Sequence, residues 1–185
     1  MNIQPYIERV KTALNSIPFE EVDKAAELIY EKTHYRDNKK TYTFGNGGSW
    51  ALAQHLTADF TKLRLPCICL PSSVSELTMW ANDWGYEDVF FASLSAANVQ
   101  QGQIVIAISS SGNSPNIIKA VEHAKRYANT IIGLSGFEKE NKLNQLADIK
   151  IHIPTEKGDY GVVEVVHDAV IHLLTEKLKY ALHTL

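Results

Sequence analysis

The chain has 185 residues, 45% of them apolar and 21% charged, with a net charge of −3. That length suits one domain with a sizeable core, and that balance excludes a disordered chain. No block of Lys or Arg marks a nucleic-acid surface, and no apolar run approaches the roughly 18 residues of a membrane span. "MNIQPYIERVK" carries no secretory signal, so the expected setting is the cytoplasm, with neither nucleic acid nor membrane as partner.

Residues 2–15 and 19–35 have helical spacing; in the second, Val22, Ala25, Ala26, Ile29 and Tyr30 fall near one face, and Pro18 separates the two. "TYTF" at 41–44 reads as a strand ending in a glycine-rich turn, followed by a helix over 49–63. "LPCICLP" is a second strand bounded by prolines. Cys67 and Cys69 sit on one face of it, spaced neither for a disulfide nor for a CxxC metal pattern, and are expected to be buried reduced thiols. Residues 72–100 hold two helices around a loop at Asn82–Gly85. Then come a strand "QIVIAIS", a helix Pro115–Tyr127, a strand "NTIIGLSG", a short helix "NKLNQLAD" and a strand "IKIHIP". "VVEVVHDAVIHLLTEKLKYAL" is a long C-terminal helix, apolar enough to predict burial.

Strands alternate with helices, and their continuous apolar runs suit burial on both faces. The expected fold is therefore α/β, a layered sandwich with a parallel sheet of about five strands flanked by helices, in one domain over residues 1–185. Right-handed crossovers put every strand-to-helix turn at the carboxyl edge of such a sheet, where ligands bind.

Two turns at that edge stand out. The first is Gly45-Asn46-Gly47-Gly48-Ser49; the second is Ser109-Ser110-Ser111-Gly112-Asn113-Ser114. Glycines admit close backbone approach, helix starts expose unpaired N–H groups, and serine hydroxyls add rotatable donors. The combination suits an anion with several oxygens, most simply a phosphate. Ser114 before Pro115 also fits a plain N-cap. A dinucleotide fingerprint starting at Gly45 fails at Trp50, and no Gly-Lys pair supports a P-loop, so neither NAD nor ATP is favoured.

Two helices carry imidazole and carboxylate on one stripe. His55 and Asp59 stand at i and i+4; Glu164, Asp168 and His172 at i, i+4 and i+8, with His167 at i+3. Such stripes serve as solvated faces, as metal ligands, or as proton exchangers. His34, His123, His152 and His183 have no carboxylate in a persuasive relation and are expected to be structural or exposed.

The segments "FGNGGSWALAQHLTADF", "ANDWGYEDVF", "IAISSSGNSPNIIKAVEHAK", "IIGLSG" and "VVEVVHDAVIH" occur in the order of a sugar-isomerase (SIS) domain. From about residue 3 to residue 182 the chain resembles the single-domain sedoheptulose-7-phosphate isomerases, also called phosphoheptose isomerases. The resemblance implies a five-stranded SIS sandwich, a homotetramer in which the N-terminal helices 1–35 pack, and sites between subunits. It implies conversion of sedoheptulose 7-phosphate to D-glycero-D-manno-heptose 7-phosphate for lipopolysaccharide or surface glycans. Carried onto this sequence, Ser109, Ser110, Ser111 and Ser114 hold the phosphate. Asn46, Gly47, Gly48, Ser49, Asp83 and Glu164 line the substrate. One zinc ion per subunit falls to His55, Asp59, Glu164 and His172, with Asp59 and His172 as acid and base.

Two positions depart from the family pattern. Asp59 stands where Glu is usual, and Glu164 where Gln is usual; the familiar T-x-x-I-Q-E is here Tyr160-Gly161-Val162-Val163-Glu164-Val165. Asp is one methylene shorter, and Glu164 adds a charge that repels phosphate or enediolate. Two rival readings stay open: a non-catalytic SIS protein that binds a phosphosugar and regulates, of the kind that binds a replication initiator, and an isomerase of another phosphosugar.

Overall fold

The computed structural model describes residues 3–34, 39–127 and 129–183. Helices α1 (Gln4–Leu14) and α2 (Phe19–His34) precede β1 (Thr41–Gly45), α3 (Gly48–Lys62) and β2 (Cys67–Cys69). Then follow α4 (Val74–Asp83), a 3₁₀ turn at Tyr86–Asp88, α5 (Val89–Ala96), β3 (Ile104–Ser109) and α6 (Pro115–Arg126). The chain ends with β4 (Thr130–Phe137), α7 (Lys142–Leu146), β5 (Ile149–Pro154) and α8 (Tyr160–His183).

The five strands form one parallel sheet in the order β2-β1-β3-β4-β5. Alternation along β3 shows how the layers arise. Ile104, Ile106 and Ile108 enter a core shared with α1, α2, α3 and α8; Val105 and Ala107 enter one shared with α5, α6 and α7. All five are fully buried, and each isoleucine contributes about 2 kcal/mol of apolar transfer. Chain order reverses between β1 and β3, so the turns that leave these two strands flank the crevice where open α/β sheets take ligands.

The expected α/β sandwich is the observed one, with small boundary shifts. The helix expected over 49–63 starts one residue earlier, and α8 starts at Tyr160 rather than Val162. α4 runs to Asp83, so the predicted loop is shorter at its front. The expected ends at residues 2 and 35 lie outside the described residues, as do the side chains of His34 and His183. His152 Nδ1 lies 3.1 Å from Ser135 Oγ, and His123 packs edge-on to Phe91 and Tyr127. Cys67 and Cys69 are free thiols, half-buried rather than buried as expected, because β2 is an edge strand of the sheet. Burial pushes them up to about 11 and about 12, which leaves them unreactive. Among the described residues no helix is long and apolar enough to cross a membrane.

Candidate active site

Three helix starts converge at the carboxyl edge. Gly45 packs so closely on Ser49 that a Cβ would lie 2.7 Å from its atoms, and Gly47 takes φ +52° to turn the chain into α3. In the serine turn Gly112 has φ +61°, and a Cβ there would strike the Asn141 side chain. Ser110 O accepts from Gly136 N at 2.9 Å and Gly112 O from Leu143 N at 2.8 Å, so β4 and α7 hold this turn.

Asn46, Ser49, Ser109, Ser110, Ser111 and Ser114 line one cavity of about 90 Å³ with Tyr160 and Glu164. That is enough for a phosphoryl group. The Ser110 hydroxyl is buried with no hydrogen-bond partner among the described residues. Ser114 occupies the N-cap position of α6, but its side chain makes no capping bond, so capping does not account for it. Residues at the starts of α3, α6 and α8 line the cavity (Ser49, Ser114 and Tyr160), so the positive dipole ends of three helices lie near it.

Asn46 is less free than its place suggests. Its Nδ2 donates to Asn116 Oδ1 at 3.0 Å, and its Oδ1 accepts from Tyr86 OH at 2.8 Å and from Asn116 Nδ2 at 3.0 Å. Gly47 and Gly48 are exposed backbone, with Gly48 beneath the Glu164 carboxylate. Asp83 sits on the exposed last turn of α4, where Oδ1 accepts from Asn82 Nδ2 at 2.8 Å, and is not part of the cavity lining.

α3 and α8 run side by side in the same direction, because their pairings advance together: Gly48 with Glu164, His55 with Asp168, Asp59 with His172. One turn and more beyond the cavity, the two stripes meet. Asp59 Oδ2 lies 3.5 Å from His55 Nε2 and 3.9 Å from His172 Nδ1. The two rings stand edge to face, 4.9 Å between centres. The Asp59 carboxylate is buried, and the hydrogen bond from Lys62 holds it below the ordinary carboxylate range, helped by His55 and His172, against the desolvation that would raise it.

His55, Asp59 and His172 could hold a metal ion: one donor atom from each lies within 4.8 Å of the others. Two imidazoles and a carboxylate are donors that a zinc ion accepts, with ligand atoms about 3.3 Å apart at tetrahedral bond lengths near 2.0 Å. The residues therefore fit. Glu164 is not in this trio; its carboxylate lies two turns back, in the serine cavity. Asp168 and Tyr160 join the constellation although neither was among the expected site residues; Tyr160 stands at the Thr position of the T-x-x-I-Q-E segment. Asp168 was visible as the middle of the α8 stripe, while Tyr160 enters because α8 starts earlier than expected.

The model of the SIS domain family matches residues 4–136. The phosphoheptose isomerase of Fusobacterium nucleatum is 36% identical over 165 residues, 85% of this chain and 82% of the relative. That of Shewanella denitrificans is 34% identical over 184 residues, 94% of this chain and 91% of the relative. Among solved structures, the phosphoheptose isomerase GmhA from Neisseria gonorrhoeae superposes with a TM-score of 0.84 at 28% identity, covering 97% of this chain and all of that one. A phosphoheptose isomerase from Francisella tularensis gives a TM-score of 0.84 at 25% identity, covering 96% of each chain. Sequence, sheet order and the two loops at the switch point agree: the chain belongs to the SIS-domain family, in the branch of the phosphoheptose isomerases.

Proposed function

We infer that the protein is an aldose–ketose isomerase of a phosphorylated sugar, and that its substrate is sedoheptulose 7-phosphate. The phosphoheptose isomerase relatives support the choice of heptose, and a spacing supports a long phosphosugar. Ser49 and His55 are six residues apart on α3, about 9 Å; Glu164 and His172 are eight apart on α8, about 12 Å. Eight bonds separate C1 from phosphorus in an extended heptose 7-phosphate, about 10 Å at about 1.2 Å per bond. A pentose 5-phosphate spans about 7 Å and falls short, while a hexose 6-phosphate, seven bonds and about 8 Å, is not separated from the heptose by this spacing.

On this reading Ser109, Ser110, Ser111 and Ser114 take the phosphate oxygens, with Ser49 at the rim. Phosphate binding fixes the far end of the open chain and so positions the carbonyl end. Asp59 takes a proton from C1 as the electron pair becomes a C1=C2 bond, and His172 gives a proton to the C2 oxygen. The resulting cis-enediol returns a proton from the C1 hydroxyl to His172 and takes one at C2 from Asp59. Atoms balance, and both groups are restored. The opposite assignment of the two roles balances equally.

His55, Asp59 and His172 would hold one zinc ion per subunit; the Glu164 carboxylate, two turns back at the serine cavity, is out of reach of that ion. Bound there, zinc supplies Lewis-acid polarisation of the carbonyl oxygen. β5 and α8 lie beyond residue 136, pair with β4 and carry His172, which supports reading residues 1–185 as one SIS domain. Ile3 and Ile7 at the start of α1 and Val165 and Leu173 on α8 are exposed, which supports packing of the N-terminal helices in a homotetramer. The cytoplasm is the compartment that goes with two free thiols and a phosphorylated substrate.

The test is incubation with sedoheptulose 7-phosphate in D₂O, with and without added Zn²⁺, followed by NMR. Formation of the aldose with deuterium entering at C2 is the expected result. A bound phosphosugar that neither isomerises nor exchanges overturns the enzymatic reading in favour of a binding protein.

A further inference from the structure

We propose that Asp168 is a positioning residue: its carboxylate holds His55 in the tautomer that turns an unprotonated Nε2 toward Asp59 and His172. This rests on the reading of His55, Asp59 and His172 as ligands of a divalent cation.

The two imidazoles lie between two carboxylates. On one side Asp59 Oδ2 meets His55 Nε2 at 3.5 Å and His172 Nδ1 at 3.9 Å. On the other, Asp168 Oδ1 meets His55 Nδ1 at 2.9 Å, and Asp168 Oδ2 lies 3.9 Å from His172 Nε2. Only one of these four contacts is a hydrogen bond by distance. An ionised carboxylate only accepts, so the proton of that bond is on His55 Nδ1. A neutral imidazole carries one N–H, so Nε2 keeps its lone pair, on the side where Asp59 and His172 converge.

A carboxylate behind a ligating histidine fixes both its ring orientation and its tautomer, and makes the free nitrogen more basic. Asp168 does this from across the groove, because α3 and α8 are parallel and bring residues 113 apart in sequence together. It is about as exposed as His55. Both groups are partly exposed, so the contact contributes little to stability, and its consequence lies in where the proton sits. Asp168 is not itself in the donor trio.

The experiment reads the tautomer and the metal affinity of the full chain separately. Long-range ¹H–¹⁵N NMR of the metal-free protein should show His55 as the Nδ1–H form. In Asp168→Ala the Nε2–H form should appear, and Zn²⁺ affinity, measured by competition with a chromogenic chelator, should fall about 10–100-fold. In Asp168→Asn the side-chain oxygen still accepts, so the tautomer and most of the affinity should survive. Equal circular dichroism and melting temperature for the variants exclude misfolding. An Nδ1–H form that persists in Asp168→Ala, or Zn²⁺ affinity unchanged there while His55→Ala weakens it, overturns the proposal alone. Zn²⁺ affinity unmoved by both His55→Ala and His172→Ala overturns the ligand reading, and this assignment with it.

Discussion

Lys62 Nζ donates to Asp59 Oδ1 at 2.9 Å, one turn further along α3, while the other carboxylate oxygen faces His55 and His172. The lysine therefore takes one oxygen of the proposed base and leaves the other to the site. It is also the main reason that Asp59 sits below the ordinary carboxylate range. Lys62→Met removes that hold and leaves burial, which acts the other way. The Asp59 carboxyl should then titrate higher than in the parent protein, as followed by ¹³C NMR of the metal-free chain. The sign for stability follows. A depressed carboxylate contributes stability that is present above its unfolded value and lost as pH falls through the folded one. So Lys62→Met should cost stability above pH 4, and the gap should close on further acidification.

The Ser110 hydroxyl supplies a test in which stability and function move in opposite directions. It is buried and without a protein partner among the described residues. Removing such a group costs nothing in the free protein and relieves a desolvation penalty of about 1–3 kcal/mol. Ser110→Ala should melt at the same temperature or higher. Its KM for the sugar phosphate should rise about tenfold, since one hydrogen bond to a charged oxygen is worth about 1.5 kcal/mol or more. A lower melting temperature with unchanged KM would make Ser110 a structural residue.

Local pattern carried much of this molecule. The run "IVIAI" is apolar at every position because β3 lies mid-sheet with helices on both faces. The four-residue step from His55 to Asp59 is a helix turn, and the helix does place both at the trio. What depends on two distant segments meeting was not legible. Nothing in "HDAVIH" says that its aspartate faces a histidine on α3, and nothing in "FGNGG" says that Asn46 is already bonded to Asn116 and Tyr86. Capture of Asp59 by Lys62 lay within one helix, and a three-residue spacing on an acidic–basic pair was its available signal.

His167 predicts how the fold responds to acid. It is fully buried on α8, with Nε2 at 3.2 Å from Ser135 O on β4, and burial lowers it from 6.5 to about 4. Folded, it stays neutral; unfolded, it takes up a proton below about pH 6.5. The unfolded chain then binds more protons, so stability falls as pH drops from 6.5 to about 4 and is flat beyond. The loss is about 3 kcal/mol across that window. Urea titrations should show that slope, and His167→Gln, which can keep the donor to Ser135, should flatten it.

Glu164 separates two sites that one residue cannot serve equally. Its carboxylate lies over Gly48, close enough that a Cβ there would be 2.5 Å from an oxygen, and it lines the cavity with five serines. Three positive helix ends favour an anion in that cavity, and Glu164 already supplies one. A phosphate dianion entering must accept a carboxylate a few ångströms away. At an effective dielectric of about 20 and about 5 Å, each unit of phosphate charge costs about 3 kcal/mol, about 6 kcal/mol for the dianion, before the solvent screening that reduces it to about 1–2 kcal/mol for a half-exposed group. Glu164→Gln removes the charge and keeps the shape. KM for the sugar phosphate should fall about tenfold, and inorganic phosphate should compete better by a similar factor. If Glu164 instead acted chiefly as the fourth zinc donor, the same substitution would weaken Zn²⁺ binding and leave phosphate competition unchanged. The position of its carboxylate, in the cavity and outside the trio, favours the first outcome.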